Sequence, residues 1–200
     1  MPKQVDHEER RRLIAEAVCG LADTHGLEGV TLRDVAARAG VSMGAVQRCF
    51  RTKEEMLAFA LGHIGERVAG RARARITGSP AQSAGTALAH TVTEVSLLAD
   101  EHRAEARVWL AFIAQAAVSP GLAEIIRRNY AALQDVFTRL VAEAAGRPDA
   151  DREARALLAL ADGLTTHVLI GHLSSQAALE VLDGHLARLL ADAQPPARES

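Results

Sequence analysis

Aromatic residues make up only 3% of this 200-residue chain, with one Trp, one Tyr and four Phe. Rings and β-branched side chains suit pleated sheets, so their short supply argues against an all-β fold. Cys19 and Cys49 are the only cysteines, too few for a disulfide scaffold or a four-thiolate zinc site. No charged segment leads into an apolar run with a small-residue cleavage site, so a secretory leader is not expected. The longest uncharged stretches, Val108–Ala123 and Gly163–Leu179, are interrupted by polar residues. They fall short of the roughly 20 apolar residues of a membrane span. A cytoplasmic chain without a membrane segment is expected.

Alanine and leucine are abundant, at 40 and 24 positions. They are the strongest apolar helix formers, so many small helical contacts must build the core. Prolines 80, 120 and 148 divide the second half into blocks with helical periodicity. Ser79-Pro80-Ala81-Gln82 reads as a cap followed by a proline at the first helical position. Ser119-Pro120 repeats that start, and Asp149 offers a third cap. Helices are expected near 81–101, 103–117, 120–145, 150–173 and 176–192. Pro195-Pro196 ends the last of them and leaves a flexible tail at 194–200.

The first half is cut more finely. Leu13, Ile14, Ala17, Val18, Leu21 and Ala22 make an amphipathic helix ending at His25-Gly26. Short helices follow at 32–39 and 43–49, introduced by Thr31 and Ser42 and joined by Gly40-Val41. A long helix starts at Thr52-Lys53-Glu54-Glu55, a capping box. The Arg-Ala alternation at 71–75 reads as an exposed helix end. About nine helices result.

Two short helices joined by a glycine turn match the helix-turn-helix unit, expected over about residues 32–51. Ala36 is small where the two helices touch, Gly40 tolerates a left-handed turn, and Val46 and Phe50 anchor the second helix. The stretches Gly29-Val-Thr-Leu-Arg33-Asp-Val-Ala-Ala-Arg-Ala-Gly-Val-Ser42-Met-Gly-Ala-Val46 and Phe50-Arg-Thr-Lys53-Glu-Glu-Met-Leu57 resemble the TetR family of bacterial transcriptional regulators. The resemblance covers roughly residues 10–60. It implies an all-α architecture, with a three-helix DNA-binding head over 1–52 and an effector-binding and dimerisation domain over 53–193. Gln47 stands where the family usually has Tyr, which puts the operator sequence beyond prediction.

Expected DNA-binding residues are Thr31, Arg33, Ser42, Met43, Gly44, Ala45, Gln47, Arg48, Thr52 and Lys53. Arg48 and Gln47 suit base edges or phosphate; Met43, Gly44 and Ala45 allow close approach and suit a thymine methyl. Thr31, Ser42 and Thr52 cap helices whose backbone N–H groups also suit phosphate. Arg33 matches a family position that reaches bases or backbone. Lys53, one of only two lysines, opposes the dipole of its own helix, so stability alone would not select it. It matches the family's phosphate-contacting Lys. Arg38 reads as solvated surface, Cys19 as inert packing, and Cys49 as a thiol without an evident activating neighbour.

The resemblance also implies a small-molecule effector; no cofactor is expected. Polar and aromatic residues interrupting apolar faces are the pocket candidates: His90, Glu94, Trp109, Phe112, Gln115, Asn129, Tyr130, Phe137, Thr165, His167 and His172. Asn129, Tyr130 and Phe137 are expected on or near one buried helix face. His167 and His172 are five apart, so they share no helical face and no metal site is expected. Wide apolar arcs on the last two helices imply a homodimer built through them, as in the family. The segments Arg107–Val118 and Pro120–Ala145 also resemble choline/betaine-repressor-type regulators, without naming a ligand.

Motifs of nucleophilic, metalloprotease, dinucleotide and nucleotide-triphosphate enzymes are missing, so an enzyme is not expected. The reading is a ligand-responsive DNA-binding regulator: a homodimeric repressor on a palindromic operator, released by an effector. An activator or a nucleoid-type binder shares the same head. Net charge is −2, yet residues 1–53 hold nine Lys and Arg against seven Asp and Glu, a net of +2. The remainder holds 14 against 18, a net of −4. A basic head on an acidic body is the expectation.

Overall fold

The computed structural model describes residues 2–146 and 148–191, with side chains from residue 7 onward. The tail expected at 194–200 lies outside the described residues. Among those described there are nine α-helices, one short 3-10 turn and no strand. The helices are α1 (Pro2–His25), α2 (Leu32–Arg38), α3 (Met43–Cys49), α4 (Lys53–Gly78), α5 (Ala84–Val95), α6 (Arg103–Ala116), α7 (Pro120–Ala145), α8 (Ala150–Leu169) and α9 (Ser175–Ala191). The 3-10 turn is Asp100–His102.

Local chemistry accounts for most boundaries and corrects three. The helix expected from 81 starts at Ala84, because Ser83 Oγ accepts the Thr86 N–H at 3.1 Å. The Gln82 amide instead donates to the carbonyls of Ile76 and Ser79, at 2.9 and 2.7 Å, closing the end of α4. That helix stops at Val95 rather than 101: Leu97 takes φ 49° and buries its side chain to 5% exposure. Burying a Leu is worth about 1.5–3 kcal/mol, enough to offset a left-handed residue costing about 1–2 kcal/mol. α8 ends at Leu169 instead of 173, since Gly171 turns left-handed at φ 76°. Asp149 provides no side-chain cap and pairs with Arg152. The Thr52 box forms in altered register: Thr52 accepts from the Glu55 N–H at 3.0 Å, while Glu55 accepts from the Arg51 N–H at 2.8 Å.

The chain folds into two compact units. The head unit takes α1–α3, α4 as far as Arg67, α6 from Ala104 and α7 as far as Arg127. Helices α1, α2 and α3 pack on one another, around fully buried Ile14, Val18, Val30, Val35 and Val46. Inside this unit Arg107 of α6 binds Asp23 of α1 at 2.6 Å, and Arg67 of α4 binds the buried Glu105 of α6 at 2.7 Å.

The second unit takes Val68–Arg103 and, among the described residues, the chain from Arg128 to Ala191. Helices α5, α8 and α9 pack together, and Leu88, Phe137, Leu157 and Leu182 form the centre of its core. Arg71 and Arg75 of α4 correct the reading of 71–75 as a merely exposed helix end. Both grip Glu94 of α5, at 2.8 and 2.7 Å, where the carboxylate is 1% exposed. A buried charge persists only when it is paired, and this one has two guanidinium partners.

Candidate nucleic-acid interface

Seven-residue helices do not persist alone, so α2 and α3 depend on caps, a fixed turn and one buried face. Thr31 Oγ1 accepts the Asp34 N–H at 3.2 Å and donates to the Asp34 carboxylate at 2.6 Å. Ser42 Oγ accepts the Ala45 N–H at 3.2 Å. Between them Gly40 takes φ 65°; its N–H reaches the Ala37 carbonyl at 3.3 Å and the Val41 N–H reaches the Ala36 carbonyl at 3.0 Å. These two bonds define a Schellman turn, which satisfies the last carbonyls of α2 and fixes where α3 begins.

The faces of α3 are sharply divided. Val46, Cys49 and Phe50 are buried, whereas Met43, Gln47 and Arg48 are exposed. Arg48 leans back over Gly44, whose added Cβ would lie 3.5 Å from a guanidinium nitrogen. Thr31, Arg33, Ser42 and Thr52 are exposed too. Ala45 is a correction: it is only 7% exposed and belongs to the inward face, so it offers no surface to a base. The buried methyl lets α3 sit close to the core.

Lys53 is half-buried, and its ammonium donates to the Leu27 carbonyl at 3.5 Å. It therefore has a local structural partner, which the dipole consideration alone did not foresee. Lys53 also lines a cleft of ≈380 Å³ with Leu27, Leu57, Gln115 and Leu122. Arg38 is exposed, but its guanidinium lies where a side chain on Gly20 of α1 would sit, 2.4 Å from an added Cβ.

One positioning residue escaped the sequence reading. The Arg11 guanidinium lies 4.7 Å from the Phe50 ring centre and 4.4 Å from that of Phe59, and 3.9 Å from Glu55. Cation–π contacts of this kind tie the end of α3 to α1 and α4. Its only signal was one Arg among three in Arg10-Arg11-Arg12. The positive character of the head is local: counting Glu54 and Glu55 brings its net charge to zero. The exposed arginines carry it, rather than an overall excess.

The effector candidates are divided between the two units. Trp109, Phe112 and Gln115 lie in the head unit; the other eight lie in the second unit. Phe112 and Phe137 are fully enclosed. Glu94 is held by Arg71 and Arg75. Thr165 Oγ1 is engaged by the carbonyls of Ser96 and Ala161, at 2.5 and 2.8 Å. Asn129 is exposed instead of lying on the buried face of α7, a correction that follows from the phase of the helix. Tyr130 and His90 are half-buried. The Tyr130 hydroxyl donates to Asp162, a partner supplied by α8. Burial and that carboxylate push the Tyr130 phenol above its ordinary range.

His167 and His172 are both exposed, yet their ring centres lie 4.9 Å apart. The five-residue spacing separates two side chains only while the helix continues, and α8 ends between them. Among the described residues no group of three or more His, Cys, Asp and Glu is placed to hold a metal ion, and no helix is long and apolar enough to cross a membrane.

Comparison with known proteins agrees with this geometry. Residues 14–59 match the family "Bacterial regulatory proteins, tetR family", and residues 84–191 match "BetI-type transcriptional repressor, C-terminal". The chain is 34% identical over 179 residues to the HTH-type transcriptional regulator PksA of Bacillus subtilis, covering 85% of this chain and 83% of that one. It is 30% identical over 196 residues to the HTH-type transcriptional regulator BetI of Burkholderia mallei, covering 96% and 98%. A crystal structure of a Rhodococcus transcriptional regulator superposes with a TM-score of 0.79 at 33% identity, covering 92% of this chain and 99% of that one. A Saccharomonospora viridis regulator, solved in complex with choline, shares the fold with a TM-score of 0.77 at 24% identity over 90% of this chain and 96% of that one.

Proposed function

The chain belongs to the TetR family of bacterial transcriptional regulators, and on that premise we propose that it is a homodimeric repressor released from a palindromic operator by a small-molecule effector. It is a DNA-binding regulator, not an enzyme. The observation that carries the reading is the divided face of α3, with Val46 locked inward and Met43, Gln47 and Arg48 presented outward. Residues 1–52 form the DNA-binding part, and the cytoplasm is its place of action. Thr31, Arg33, Ser42, Thr52 and Lys53 frame the recognition helix and hold phosphates, and Gly44 lets the helix approach the bases closely. Two such helices reach successive major grooves about 34–36 Å apart when the last two helices pair with their counterparts. Val181 on α9 and Ile170 after α8, 46% and 70% exposed, supply apolar surface for that pairing.

Residues 53–193 form the effector and dimer part. The choline complex of the S. viridis regulator puts quaternary ammonium compounds first among effectors to try. Tyr130 and Asp162 offer the aromatic face and the negative charge that suit such a cation. Effector binding favours a conformer with altered head spacing, and operator affinity falls by linkage.

The test is a gel shift on DNA flanking the gene, repeated with choline, betaine and a small-molecule panel. A shifted complex released by one compound supports the reading. Broad, sequence-independent protection in a footprint counts against it. Lys53→Ala should weaken binding to all sequences and reduce the salt slope by about one unit, and an unchanged slope removes the phosphate role. Arg48→Ala should relax the preference for one base, by about 1–3 kcal/mol of discrimination.

A further inference from the structure

The end of α8 carries a feature that the outward face of α3 and the Tyr130–Asp162 pair leave unused. Gly171 is left-handed at φ 76°; its N–H donates to the Val168 carbonyl at 3.1 Å, and the His172 N–H donates to the His167 carbonyl at 2.9 Å. This is a Schellman turn, which brings the side chain three residues inside the helix end against the one two residues beyond it. That pair is ordinarily apolar. Here it is His167 and His172.

We propose that His167 and His172 form a binding site for one transition-metal ion of the zinc type, completed by water. Two imidazoles on one ion, each bonded at about 2.0–2.1 Å and separated by 90–110°, have ring centres about 4.5–5.2 Å apart. The observed separation is 4.9 Å, with the rings tilted by 52°. Both rings are exposed, so an ion reaches them without the fold opening. The turn fixes the backbone at both positions before any ion arrives, which lowers the ordering cost of binding. The site also sits at the negative end of the α8 dipole, where a cation is favoured. Imidazole is a preferred ligand of zinc, copper and nickel. A bound ion fastens the last turn of α8 to the segment that leads into α9.

The test is calorimetric titration of zinc chloride into the untagged full-length protein, together with His167→Ala, His172→Ala and the control His25→Ala, an exposed histidine elsewhere. The expected result is one ion per chain, with affinity lowered about tenfold or more in either site variant and unchanged in the control. Zinc should also raise the melting temperature of the wild type and of H25A but not of H167A or H172A. Because both site residues are exposed, the variants keep their fold, which far-ultraviolet circular dichroism checks. No binding to the wild type, or binding to both site variants as tight as to the wild type, overturns the proposal.

Discussion

The turn after α2 and the turn after α8 share one backbone. Each places a left-handed glycine beyond the helix end, at φ 65° for Gly40 and 76° for Gly171, and each closes with the same two hydrogen bonds. They differ in what the turn brings together. After α2 the paired positions are Ala36 and Val41, and the second helix follows at once, capped by Ser42. After α8 they are His167 and His172, both facing solvent. One backbone device thus serves alignment in the first place and presents two imidazoles in the second. Side-chain chemistry, not turn geometry, separates the two roles.

The sharpest way to break this contrast is to strain both glycines. Nothing lies within 4 Å of a Cβ added at Gly40 or Gly171, so the substitution acts through backbone strain alone. Gly40→Ala should cost about 1–2 kcal/mol and lower operator affinity at least tenfold, because α3 leaves its alignment. Gly171→Ala should cost about 1–2 kcal/mol, roughly 2–8 °C in melting temperature, with operator affinity kept. Melting curves and gel shifts on both variants decide it; equal losses of operator affinity would erase the distinction.

A smaller effect is expected from the caps. Ser42→Ala removes the acceptor for the Ala45 N–H and should cost about 1 kcal/mol, with operator binding weakened alongside, as read by urea unfolding and gel shift. Arg11→Ala should cost about 0.5–1 kcal/mol in the head through loss of its two ring contacts. Least visible is Cys19. Burial holds its thiol up at about 11, with Arg67 opposing that rise. About 0.1% is then thiolate at pH 8, so native-state alkylation followed by mass spectrometry should find it almost unmodified.

Much of the head was legible in the sequence because its signals are local. Thr31, Ser42 and Thr52 lie within three residues of the N–H groups they cap, and Gly40 declares its own conformation. Periodicity could place Val46 inward, yet it did not separate Ala45 from Met43. A seven-residue helix has only two turns, and alanine is neutral in such patterns. The effector candidates were far less legible. Glu94 looked like a polar anchor for a ligand, because its partners Arg71 and Arg75 lie about 20 residues earlier on another helix. Asn129 was misjudged by the phase of α7. The five-residue spacing of His167 and His172 reads as two faces of one helix because the pattern carries α8 to 173, whereas the helix ends at Leu169 and the turn beyond it brings the rings together.

By itself the sequence determined the helical class, the order of the helices and the helix-turn-helix head. Alanine and leucine content, proline positions, hydroxyl caps and glycines act over three or four residues, and that range suffices. Only the tertiary structure decided which polar groups are paired. Asp23 meets Arg107 across 84 residues, Tyr130 meets Asp162 across 32, and Thr165 meets the Ser96 carbonyl across 69. Such pairs leave no periodic trace, because they arise where helices of different phase happen to face each other. A carboxylate or a hydroxyl reads the same in the sequence whether it awaits a ligand or is already held by the protein.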